Sequence, residues 1–93
     1  MTATEQLTRV KESLSIIGNH LDKALTVWLE DVKYYMADAG VSESVINSEK
    51  AIGAICRGVS DLWINNQLSQ YFYQRVGQLV HIDEDKSESE SEV

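Results

Sequence analysis

An all-α fold follows from three features of the sequence. There is no proline, and only five glycines occur in 93 residues, a composition that suits helices and fits poorly with turn-dense sandwiches or barrels. Apolar residues recur at spacings of three and four, the period of one helical face. Serine or threonine stands just ahead of most of these stretches, where its side chain can accept hydrogen bonds from the free amides of a first turn. The predicted architecture is a compact bundle of four helices plus a short turn helix. It forms one domain over residues 1–82, followed by an acidic tail over 83–93 that is disordered when free.

The elements can be placed in order. Thr2-Ala3-Thr4-Glu5 matches a capping box, and Leu7, Val10 and Leu14 form one stripe, which predicts a first helix from Ala3 to Ser15 with Gly18-Asn19 as the stop. From His20, the residues Leu21, Leu25, Trp28, Leu29, Val32, Tyr35, Met36 and Ala39 share a face, and Gly40 ends the helix. Ser42 caps a short turn through Val45 and Ile46, and Ser48 caps a third long helix. Its stripe is Ala51, Ile52, Ile55, Cys56, Val59, Leu62 and Trp63, and it stops near Asn65-Asn66. Gly53 and Gly58 each cost about 1 kcal/mol there relative to alanine, so close approach of another backbone, within the chain or between subunits, is the better explanation for both. Ser69 caps a last helix, with Leu68, Phe72, Val76 and Leu79 on its apolar side, that fades by His81-Ile82.

The net charge of -7 is uneven. Asp83, Glu84, Asp85, Glu88, Glu90 and Glu92 against Lys86 leave -5 in the tail, so nine acidic and seven basic residues leave only -2 on the body. Such a tail has little to bury and repels itself, which predicts either a solvated end or a segment ordered by a partner. The basic residues are scattered singly, without the clustered lysine and arginine that neutralises phosphates, so a DNA-gripping role is not expected. No apolar run approaches the roughly 20 residues of a membrane span. The N-terminus has no signal-peptide pattern, and the lone Cys56 cannot form an internal disulfide; both suit a cytoplasmic site of synthesis.

Groups that could do chemistry are few. His20 and His81 lack partners at ligand spacing, Cys56 lies on an apolar stripe, and there is no glycine-rich phosphate loop or nucleophile elbow. The expectation is a protein with no catalytic residue, metal or cofactor.

Four blocks of the chain, in order, carry a resemblance: Val10 to Gly18, Trp28 to Val41, Ala51 to Trp63, with its Arg57-Gly58-Val59-Ser60-Asp61-Leu62-Trp63 run, and Leu68 to Leu79, with Tyr71-Phe72-Tyr73-Gln74-Arg75-Val76. Together they resemble the small head-tail connector proteins (head-completion adaptors, DNA-packaging proteins) of tailed bacteriophages infecting Gram-positive bacteria. The chain departs from that pattern at Ile64-Asn65-Asn66-Gln67, which is shorter than the family's glycine-rich loop, and the acidic tail has no family counterpart. The resemblance implies an all-helical adaptor of the virion, placed at the head-tail interface and without catalytic activity. It would bind the portal protein, form a ring of about twelve copies, and offer a platform to a stopper or tail-completion protein. Genome DNA would pass through the ring without specific binding, because carboxylates repel phosphates.

At the level of residues, Trp28 and Trp63 lie on apolar stripes and are expected in the core. Arg57 and Arg75 border apolar faces, so each pairs within the chain, with Asp61 or a backbone carbonyl, or meets a subunit or the portal. Tyr71 and Tyr73 cannot both face one core, which makes one of them a surface contact. The candidate subunit or portal contacts are therefore Arg57, Asp61, Tyr71, Tyr73 and Arg75. A reading from another class is an acidic regulatory module that mimics DNA and occupies a basic protein. It would need carboxylates arrayed along a body whose net charge is only -2.

Overall fold

A computed structural model describes residues 1–82; the acidic tail, with Asp83, Glu84, Asp85, Glu88, Glu90 and Glu92, lies outside the described residues. The described chain is all-α, with helices α1 (Ala3–Ser13), α2 (Asp22–Ala39), α3 (Glu43–Ile46), α4 (Glu49–Asn65) and α5 (Gln70–Leu79). Four starts carry the side-chain caps read from the sequence. Thr2 and Glu5 form a full capping box on α1, while Ser42, Ser48 and Ser69 accept from amides of α3, α4 and α5. The Thr2 hydrogen bonds also hold the Glu5 carboxyl below its ordinary pKa. The start of α2 at Leu21 has no side-chain cap.

The first helix ends earlier than Ser15. Ser15 turns left-handed at φ 59°, its amide donates to the Glu12 carbonyl at 3.2 Å, and the Ile16 amide reaches the Lys11 carbonyl at 2.9 Å. This paired arrangement closes the helix before Gly18 is reached, so the glycine, left-handed at φ 88°, serves the loop instead. At the end of α2, Gly40 takes the closing role at φ 108°, with the Val41 amide on the Met36 carbonyl at 3.0 Å.

Helices α2 and α4 form the central pair, and each packs against every other helix. They run antiparallel, because Val32 meets Gly58 and Trp28 meets Trp63. The core between them holds Leu25, Leu29, Val32, Met36, Ile55 and Val59, closed by Val10 of α1 and by Phe72, Val76 and Leu79 of α5. Gly58 is the point of closest approach. A methyl group there would lie 2.7 Å from Phe72 Cε1 and 3.0 Å from both Val32 Cγ atoms. The neighbours are side chains, whereas the sequence suggested a backbone. At Gly53 nothing lies within 4 Å of the corresponding position, so no approach within the chain accounts for it.

The tryptophans also depart from the core expectation. Trp28 is half-buried and Trp63 is 38% exposed; their rings face each other at 6.5 Å where the start of α2 meets the end of α4. They shield the end of the core from solvent without entering it. A polar position that the sequence stripes left out is Gln6, which is fully buried. Its Nε2 donates to the Ile46 carbonyl at 3.2 Å and its Oε1 accepts from Lys33 Nζ at 2.9 Å, tying α1 to α3 and α2. The terminal amine of Met1 donates to the Asn47 carbonyl on the same side.

Candidate interaction surface

Asp61 organises the junction of α4 and α5. It is 4% exposed, and its two oxygens are used separately: Oδ1 accepts from Arg57 Nε at 3.0 Å, and Oδ2 accepts from the Ser69 amide at 3.1 Å. Ser69 in turn caps α5, its hydroxyl accepting from the Phe72 amide. Burial pushes the Asp61 carboxyl up, but hydrogen bonds from Ser69 and Arg57, with the guanidinium charge, outweigh it and hold the pKa below the ordinary aspartate value. Arg57 and Asp61 stand four residues apart, the spacing of a helical ion pair that is weak when both partners are exposed. The fold buries the acid and leaves the base at the surface.

The Arg57 guanidinium carbon lies 4.9 Å from the centroid of the Tyr71 ring, which is itself exposed. Asp61 therefore fixes Arg57, and Arg57 steadies Tyr71 through a cation-π contact. Arg75 is one helical turn beyond Tyr71 on the same side of α5, and its Nη1 donates to Gln78 Oε1 at 2.7 Å. That partner is neither Asp61 nor a backbone carbonyl. Tyr73 points to the other flank of α5, where its ring meets Tyr35 at 5.4 Å and Phe72 at 6.0 Å. Of the five candidate contact residues, Arg57, Tyr71 and Arg75 are thus brought to one face with Asp61 buried beneath it, and Tyr73 is not. Both tyrosines are exposed, whereas the sequence required only one to be.

Opposite this face lies the outer side of α2. With Leu25, Leu29, Val32 and Met36 turned inward, helical periodicity puts Lys23, Val27, Glu30, Asp31, Tyr34 and Asp38 outward, and all six are exposed. Val27 is 65% and Tyr34 is 70% exposed, a large apolar area among three carboxylates. Its charges make this side read as a solvated one in the sequence, yet Val27 and Tyr34, two turns apart, are a local signal of an apolar contact on it.

Elsewhere two of the acids are paired locally. Arg9 meets Glu49 at 3.2 Å and Lys11 meets Asp22 at 2.8 Å. A cleft of about 260 Å³ beside α2 and α3 is lined by Glu30, Lys33 and Tyr34, with Lys33 already engaged by Gln6. Among the described residues no group of three or more His, Cys, Asp or Glu side chains is placed to hold a metal ion, and no helix is long and apolar enough to cross a membrane. Cys56 is half-buried; burial pushes its thiol pKa up against the opposing effects of the Ser13 hydroxyl and the Arg9 charge.

The fold and these faces define a small all-α protein whose ordered polar groups serve its surface and its helix junctions. Comparison with family models, with curated proteins and with solved structures gives no match, so a functional reading rests on the residues themselves.

Proposed function

We propose that this protein is a structural head-tail connector of a tailed phage, a non-enzymatic adaptor that forms a ring beneath the portal and joins head to tail. The observation that carries the reading is the ordered run of four blocks between Val10 and Leu79 that resemble that family. The surface is consistent with it. Arg57, Tyr71 and Arg75 form a fixed polar and aromatic face without a reactive group beside them, as suits contact with a subunit or the portal. The adaptor then offers its free end to a stopper or tail-completion protein. Genome DNA passes through the ring without being held, because the excess of carboxylate over the chain repels phosphate.

The test is deletion of the gene from the phage that carries it, with complementation as control, followed by electron microscopy of the lysate. Heads that have packaged or leaked DNA beside separate finished tails are the expected result. Normal infectious virions from the deletion would overturn the reading.

A further inference from the structure

The outward faces of α2 and α4 point away from each other, since the two helices pack directly through their inward faces. These faces differ in charge. The α2 face carries Glu30, Asp31 and Asp38 around Val27 and Tyr34, against the single Lys23 at its start, and none of the three carboxylates forms an ion pair within the described chain. The α4–α5 face carries Arg57, paired with the buried Asp61, and Arg75, whose partner Gln78 is neutral. Helix α5 contains no acidic residue, and the carboxylate of Asp61 is buried beneath Arg57.

We propose that the two faces are the halves of one heterologous contact between copies of this chain, with the acidic outer side of α2 in one copy seated on the α4–α5 face of the next. Charge complementarity selects the occupant: a second α2 face would oppose like charges, whereas the arginine face attracts it. Shape agrees. Val27 and Tyr34 are exposed apolar side chains two turns apart, and the receiving face is open at Gly53, where nothing lies within 4 Å, in line with exposed Arg57 and Ile64 along the outer side of α4. Gly53, unexplained inside one copy, then has a role in admitting the neighbour's helix. Because the two faces lie on opposite sides of the molecule, the contact repeats from copy to copy and gives a ring or a filament. The contact rests on the chain's own surface; only its closure into a ring rests on the connector reading.

The experiment is a dilution series of the full chain at low ionic strength, from about 1 mM to about 20 µM, followed by amide chemical shifts. Concentration-dependent shifts confined to the outer residues of α2 and to the α4–α5 face are expected, and salt that shortens the screening length suppresses them. Two variants test the pairing: Glu30→Lys with Asp38→Lys, and Arg75→Glu, with Arg57 left in place because it holds Asp61. Each alone loses the concentration dependence, and an equal mixture of the two regains it. Shifts that do not change on dilution, that map to other faces, or that the mixture fails to restore would overturn the contact. Loss of the shifts in a chain ending at Ile82 would assign the arginine face to the acidic tail and overturn it too. The gene-deletion phenotype is independent of all of these results, so failure of the contact and failure of the connector reading are read separately.

Discussion

Gly53 and Gly58 are the same residue in the same helix, and their surroundings give opposite expectations for alanine. At Gly58 the added methyl meets Phe72 and Val32, both fully buried with no room to move. The clash outweighs the gain in helix propensity, so Gly58→Ala is expected to destabilise the protein by about 2 kcal/mol. At Gly53 the methyl enters open space, and Gly53→Ala is expected to stabilise the monomer by about 0.5–1 kcal/mol. Urea unfolding of both variants in dilute solution checks the pair. Equal effects of one sign would show that the α2–α4–α5 contact at Gly58 is not the constraint. The sequence marks both glycines as anomalous in a helix, but only the packing of Val32 and Phe72 tells them apart.

The helices themselves are legible in the sequence because their signals are local: the capping box at Thr2, the serines at 42, 48 and 69, and the apolar stripes. What is not legible depends on contacts between helices. Gln6 lies four residues before Val10 on the first stripe, yet its burial becomes acceptable only when Ile46 and Lys33 arrive from α3 and α2. Asp61 likewise looks like half of a surface pair until Ser69 folds back onto it. That clasp joins α4 to α5 and makes stability depend on pH. A carboxyl with a depressed pKa in the folded protein stabilises it fully above the ordinary aspartate range, and that contribution is lost as pH falls through the range toward the folded value. Glu5 contributes with the same sign at the start of α1. Asp61→Asn is expected to be less stable than the parent by about 1–3 kcal/mol at neutral pH. The difference should shrink below about pH 4, where Asp61 of the unfolded parent takes up a proton, and go on shrinking until the folded carboxyl protonates at its lower value. Unfolding midpoints measured from pH 7 to about pH 3 test this, and a gap that stays constant over the range would mean that Asp61 does not hold the junction as a carboxylate.

Over the full chain, the charge is divided between a nearly balanced body and a tail that carries -5. The body's core is closed by α5 through Phe72, Val76 and Leu79, with Val80 and Ile82 packed against its edge. Residues 83–93 offer one apolar side chain, Val93, among six carboxylates, so they have almost no area with which to stabilise that core. Their mutual repulsion is a small opposing effect that salt screens. A chain ending at Ile82 is therefore expected to keep the helical content of residues 1–82, and its thermal midpoint should lie within about 3 °C of the full chain at moderate salt. At low salt the midpoint of the shorter chain should be equal or higher, because the excess negative charge has been removed. Circular dichroism melts of both chains at two salt concentrations check this. A large loss of stability on truncation would show that the tail contributes to the fold, and the domain boundary at Ile82 would have to move.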